Sequence, residues 1–157
     1  MYQKEEYRTL TGYRDAEKKQ ITSAMEDYLE MICRMTEEGV SVRVGDLARR
    51  LHVSPSSATK MIAHLAECGC VEATRYGYVT LTEYGRGVGS YLMTRHDTVH
   101  RFFCVLNGTE SEIEQTEKVE HFILPRTLIA MERFLGKRAE KTDVFLQKGC
   151  HPPREAV

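Results

Sequence analysis

A chain of 157 residues is long enough for one compact domain, or for two small ones sharing a core. Its 22 basic and 23 acidic side chains nearly cancel, so net charge announces no nucleic-acid partner, and no apolar run approaches the ~20 residues that a membrane span needs. Five cysteines, an odd number with no signal peptide ahead of them, fit a reducing cytosol better than a disulfide framework, and a cytoplasmic protein is expected.

The charge balance is uneven along the chain. Between residues 41 and 80, Arg43, Arg49, Arg50, Lys60 and Arg75 outnumber Asp46, Glu67 and Glu72; between 110 and 120, Glu110, Glu112, Glu114, Glu117 and Glu120 face only Lys118. One region leans basic and another acidic.

Residues 1–20 are polar, with scattered tyrosines, and read as an amino-terminal arm. From Thr22 to about Glu38, Ile21, Met25, Tyr28, Leu29, Ile32 and Met35 form an apolar stripe at helical spacing, and Gly39 ends the helix. Asp27 and Glu30 fall on the opposite side and, taken alone, read as a solvated face. Next, Val44, Leu47, Ala48 and Leu51 mark a short helix. Ser54-Pro55 opens another with Met61, Ile62 and Leu65, Ser54 as N-cap and Pro55 at the first helical position. Two short helices joined by a tight turn make a helix-turn-helix. Its second helix offers Ser56, Ser57, Thr59 and Lys60 away from the apolar stripe, small hydroxyls and a lysine suited to phosphates and base edges.

Cys68-Gly69-Cys70 reads as a pair of small, buried structural cysteines. Residues 71–81, with β-branched and aromatic side chains flanking Gly77, form a hairpin or wing that carries Arg75 and Tyr76. Helix-turn-helix plus wing is more specific than either half, and points to nucleic-acid binding, of which double-stranded DNA is the expected form. The bland alternative is a small α+β packing unit with incidental basic residues.

A long helix is expected from Thr82 to about Leu106, with Val88, Leu92, Val99, Phe103 and Leu106 on one side. His96 lies on that side too, where a single histidine is usually a satisfied core residue. The next helix has Thr109 as N-cap and Glu112 completing a capping box. On it, Glu117, Glu120 and His121 share one face with Ile113 and Leu124, so polar groups stand where a core would want Leu or Ile. Two carboxylates at that spacing repel, and a divalent cation removes the penalty; oxygen and imidazole donors suit Mn²⁺, Fe²⁺ or Zn²⁺. Without further context, the same stretch reads as a charged helix face. The last helix runs from Pro125 to about Leu135 and stops at Gly136. The tail from 141 to 157, including Cys150-His151, reads as disordered.

Several of these segments together resemble the diphtheria toxin repressor family of metal-dependent transcriptional regulators, and its manganese transport regulator branch in particular, over residues 21–136. Met25-Glu26-Asp27-Tyr28-Leu29-Glu30 resembles the family's first-helix motif, and Ser54 to Met61 its recognition helix. Arg95-His96 and Glu117-Lys118-Val119-Glu120-His121 resemble its metal motifs. The resemblance implies six metal ligands: Asp27, Glu30, His96, Glu117, Glu120 and His121. Iron-type members carry methionine and cysteine in place of Asp27 and Glu117, so the harder set here favours Mn²⁺. His100 departs from the pattern, standing where an acidic residue is common. An SH3-like third domain is not expected after residue 140, which again fits the manganese branch.

The expected fold is therefore mainly α: a winged helix-turn-helix over residues 21–81, then a helical metal-binding and dimerisation domain over 82–140. The expected function is that of a non-enzymatic regulator, a homodimer that binds operator DNA when Mn²⁺ occupies a binuclear site, two ions per subunit, with Fe²⁺ or Zn²⁺ as other candidate metals. The DNA-contacting set would be Ser54, Ser56, Ser57, Thr59, Lys60, Arg75 and Tyr76. A di-metal oxidase would want paired Glu-x-x-His motifs, and the sequence has none. A winged-helix regulator of a small organic ligand is the remaining alternative, one whose DNA binding would ignore chelators.

Overall fold

The computed structural model describes residues 21–74 and 76–147, with side chains described through residue 136. The expected amino-terminal arm, Arg75 and residues 148–157 lie outside the described residues. The chain divides into two compact units, Met1–Arg86 and Gly87–Val157.

The first unit opens with α1, Ser23–Glu37. Thr22 caps it, its hydroxyl accepting the Met25 N–H at 3.3 Å. Gly39 follows the end at φ +74°, where a side chain would be strained, and so fixes the stop. Helices α2, Val44–Arg50, and α3, Pro55–Glu67, form the helix-turn-helix. The Ser54 oxygen accepts the Ser57 N–H at 3.1 Å and Pro55 takes the first helical position. Strands β1, Val71–Ala73, and β2, Val79–Leu81, pair antiparallel with Val71 opposite Leu81. Ile32 and Met35 of α1, Leu47 and Ala48 of α2, Ala58, Ile62 and Leu65 of α3, and Val71, Val79 and Leu81 of the wing are all buried. Cys70 is buried as expected, but Cys68 is exposed, because only one of two residues flanking a turn glycine faces the interior.

Helix α4, Glu83–Asn107, begins in the first unit, whose boundary falls after Arg86. Its start is bolted down: the Thr82 hydroxyl donates to the Gly69 carbonyl at 2.6 Å, and its oxygen accepts the Gly85 N–H at 2.9 Å. Gly85 lies so close to β1 that a Cβ there would sit 1.8 Å from the Cys70 carbonyl oxygen. Further along, Leu92, Arg95, Thr98 and Val99 are buried, whereas Leu106, expected on the same stripe, is exposed beside the helix end.

In the second unit α5 spans Ile113–Val119 and passes into a 3₁₀ turn, Glu120–Phe122; α6 spans Pro125–Gln147. Val99, Leu128 and Met131 form the core, with Phe102, Phe103, Val119 and Ile123 against it. Phe102 meets Phe134 edge-on at 5.5 Å.

Three expectations need correcting here. The helix after Thr109 starts three residues later, because the Thr109 hydroxyl and the Asn107 amide both donate to the Glu112 side chain, at 2.7 and 3.0 Å, and Glu112 itself becomes the N-cap residue. Its inward side carries Thr116 and Glu120, while Ile113 and Leu124 are exposed. Gly136 does not stop the last helix, which runs to Gln147; glycine inside a helix costs only about 1 kcal/mol, which weakens a helix without ending it. Residues 141–147, expected in the tail, therefore belong to α6.

Candidate metal centre

The polar residues of the second unit converge around one carboxylate. Glu120, at the start of the 3₁₀ turn, is 1% exposed. His96 reaches it from α4, with Nδ1 3.2 Å from Glu120 Oε1 and 3.7 Å from Glu117 Oε1. Glu117 lies at the exposed end of the group, on α5. Contrary to expectation, the change from α to 3₁₀ winding after Val119 means that Glu117, Glu120 and His121 do not project from one regular helix face; the tighter turn carries Glu120 inward and leaves His121 half-buried.

Arg95, expected only as the motif neighbour of His96, also belongs to this cluster. It is 3% exposed, with Nε 3.8 Å from Glu120 Oε2 and Nη2 3.1 Å from His121 Nδ1. A guanidinium thus stands between the carboxylate and the second imidazole. Its signal was available: Leu92, Arg95 and Val99 follow the i, i+3, i+7 rule of a buried face.

These residues fit a divalent cation. Glu120 Oε2 is buried and lacks a hydrogen-bond partner among the described residues; the Arg95 guanidinium 3.8 Å away offsets its charge but leaves its lone pairs open to a cation. Ligands about 2.1–2.3 Å from one ion sit roughly 3 Å apart when adjacent, close to the observed His96–Glu120 separation. The donors are carboxylate oxygen and imidazole nitrogen, with no thiolate, which is the chemistry of Mn²⁺, Fe²⁺ or Zn²⁺.

His100 is not a spare ligand. Its Nε2 accepts the Glu112 backbone N–H at 3.2 Å and lies 3.7 Å from Cys104 Sγ, so this ring holds the α5 entry. It stacks on His96, ring centroids 6.3 Å apart and nearly parallel.

Asp27 and Glu30 belong to the first unit, one turn apart on α1. Glu30 is not the solvated acid expected from the helix alone: it is buried, and its Oε1 accepts from Arg34 Nε and Nη2 at 2.9 and 2.6 Å. Ser54, Ser56, Ser57, Thr59 and Lys60 all lie exposed at the first turns of α3, and Tyr76 at the wing tip is 86% exposed. Arg75 lies outside the described residues.

Comparison with known proteins gives concordant findings. Residues 20–79 match the model of the iron dependent repressor N-terminal DNA binding domain. The chain is 37% identical over 103 residues to the HTH-type transcriptional regulator MntR of Shouchella clausii, covering 65% of this chain and 72% of that one. It is 36% identical to MntR of Geobacillus kaustophilus, with 65% and 73% covered. Among solved structures, a manganese-dependent transcriptional repressor in complex with manganese matches with TM-score 0.63 and 31% identity, over 71% of this chain and 52% of that one. The manganese regulator SloR matches with TM-score 0.64 and 24% identity, over 71% and 53%, a likeness of fold. The chain thus spans about half the length of these solved structures.

Proposed function

Because this chain belongs to the iron-dependent repressor family of metal-dependent transcriptional regulators, we propose that it is a manganese-responsive repressor that binds operator DNA as a homodimer. The observation that carries the reading is the buried Glu120 carboxylate, with His96 Nδ1 on one oxygen and the other oxygen lacking a hydrogen bond. The relatives named MntR support manganese over other divalent ions. The proposed ligands are Asp27, Glu30, His96, Glu117, Glu120 and His121, the set that the family resemblance implies, and the absence of sulfur among them supports Mn²⁺.

The bound ion would supply positive charge to a cluster of acids and so favour the arrangement that gathers them. Since DNA affinity then depends on which arrangement is populated, metal and DNA binding are coupled. The winged unit, residues 21–81, would bind DNA through Ser54, Ser56, Ser57, Thr59, Lys60, Arg75 and Tyr76. The helical region, 82–140, would hold the metal and the dimer contacts. Such a protein works in the cytoplasm, and the fitting targets are metal-uptake genes.

The test is a gel shift on metal-stripped protein with the promoter of a manganese transporter gene at fixed salt, titrated with Mn²⁺, Fe²⁺ and Zn²⁺ in turn. A shift that needs Mn²⁺ and reverses with chelator is expected. A shift that Fe²⁺ or Zn²⁺ drives at lower concentration reassigns the metal. Binding that ignores all three removes the sensor and leaves a DNA-binding winged helix.

A further inference from the structure

We propose that Arg43 is a phosphate-contacting residue of the DNA interface, held in position by Tyr78. This rests on the DNA-binding activity of the family and assigns a contact absent from the set named above.

Arg43 precedes α2 and joins the wing through its backbone. It bridges Tyr78, the residue just before β2, while the Val44 N–H donates to the Gly77 carbonyl and the Val79 N–H to the Val42 carbonyl, each at 3.0 Å. The segment 42–44 is thus an added edge of the hairpin, and Arg43 stands where the helix-turn-helix and the wing meet. Its side chain is fixed as well. The guanidinium carbon lies 4.3 Å from the centre of the Tyr78 ring, and Nη2 donates to the Tyr78 hydroxyl.

Charge separates this arginine from its neighbours. Arg49 is paired with Asp46, and Arg50 with Glu38 at 2.7 Å. Arg43 contacts a neutral ring and a neutral hydroxyl, and Asp46, the carboxylate that acts on it through space, is itself paired with Arg49. The residue is exposed, and its other N–H groups are left to meet a ligand.

An exposed, full positive charge on a planar fork, already ordered by stacking, suits the phosphodiester backbone. The fork matches phosphate oxygens, and the rotamer entropy is spent before binding. Such a contact fixes the position of the protein on the duplex without reading sequence.

The experiment uses the full-length, Mn²⁺-loaded protein and a mixed-sequence DNA duplex, with affinity measured across a series of salt concentrations. Arg43→Ala is expected to weaken binding about tenfold and to reduce the slope of log K against log salt by about 0.9 for each Arg43 that reaches a phosphate. Arg43→Lys restores the slope but not the full affinity, because it keeps the charge and loses the fork. Tyr78→Phe, which keeps the ring, loses a smaller factor with the slope intact. Arg43→Gln keeps length and hydrogen bonding without charge, and so separates a charge effect from a folding defect. An unchanged slope in folded Arg43→Ala or Arg43→Gln overturns the proposal and leaves Arg43 as a staple of the wing. So does unfolding of both variants. Failure of the wild-type protein to bind any duplex is a different result, and sinks the DNA-binding reading itself.

Discussion

His96 Nδ1 lies 3.2 Å from Glu120 Oε1, so a side chain of the long α4 helix and one from the 3₁₀ turn after α5 already meet within the second unit. Glu120 is 1% exposed, and its second oxygen has no hydrogen bond among the described residues, with Arg95 Nε 3.8 Å away. Removing the charge at this point tests the site with little change of shape. Glu120→Gln is expected to lower Mn²⁺ affinity by more than about 100-fold and to abolish the metal-dependent gel shift, with the far-ultraviolet circular dichroism spectrum unchanged. A variant that still responds to micromolar Mn²⁺ would move the metal elsewhere.

The guanidinium of Arg95 takes the place of a cation in this cluster, 3.8 Å from Glu120 and 3.1 Å from His121. Removing one member of a buried charged pair leaves the other uncompensated. Arg95→Met should therefore destabilise the metal-free protein by about 3 kcal/mol, read from chemical denaturation in chelator. Saturating Mn²⁺ should raise the melting temperature of the variant by more than that of the wild type. Equal shifts would detach Arg95 from the metal cluster.

Much of the first unit is legible in the sequence because its elements are punctuated by residues with one job. Ser54 caps and Pro55 opens α3, Gly39 closes α1, and alternating β-branched residues draw the wing. The second unit is less legible, for identifiable reasons. Thr109 looks like a cap, but its hydroxyl is taken by the Glu112 side chain, and that pairing depends on Asn107 arriving from α4. The passage from α to 3₁₀ at Glu120 has no local sequence mark. A face drawn at 100° per residue therefore put Ile113 and Leu124 inside, whereas Thr116 and Glu120 are buried. Glu30 read as solvated because its burial depends on the tertiary fold, which helix spacing alone does not encode.

Gly85 and Gly87 sit in the first turns of α4 and should respond oppositely to the same substitution. A Cβ at Gly85 would stand 1.8 Å from the Cys70 carbonyl oxygen, and the backbone would have to move. Gly85→Ala is expected to cost about 2 kcal/mol or more. A Cβ at Gly87 meets nothing within 4 Å, so Gly87→Ala should stabilise by roughly 0.5–1 kcal/mol through helix propensity. Urea midpoints with unchanged m-values would decide both; destabilisation by Gly87→Ala would contradict the open space around it.

Burial pushes the Cys33 thiol up to about 11, with Glu37 and Glu30 adding to the effect and Arg86 opposing it. The folded protein therefore prefers the protonated form. That preference stabilises the fold fully below the ordinary thiol value of about 9, and is lost as pH rises from there toward 11. Stability measured between pH 8 and pH 11 should fall more steeply in the wild type than in Cys33→Ala. At pH 8, exposed Cys68 should react with a thiol reagent well before Cys33; rapid labelling of Cys33 in folded protein would show that α1 opens.

Coupling between metal and DNA must run both ways. If Mn²⁺ raises DNA affinity by some factor at fixed salt, the same DNA must raise Mn²⁺ affinity by that factor, since both are legs of one thermodynamic cycle. Allosteric couplings are typically about 1–3 kcal/mol, so a tightening of roughly 5- to 150-fold in Mn²⁺ affinity is expected when the operator duplex is present. Free Mn²⁺ read by electron paramagnetic resonance, with and without duplex, measures it directly. Glu120→Gln serves as the control, because a protein that has lost its ion site has no coupling to report. Mn²⁺ affinity indifferent to the duplex, in a protein whose gel shift needs Mn²⁺, would mean that the ion acts on the DNA or on assembly of the dimer instead of on a DNA-competent arrangement of the subunit.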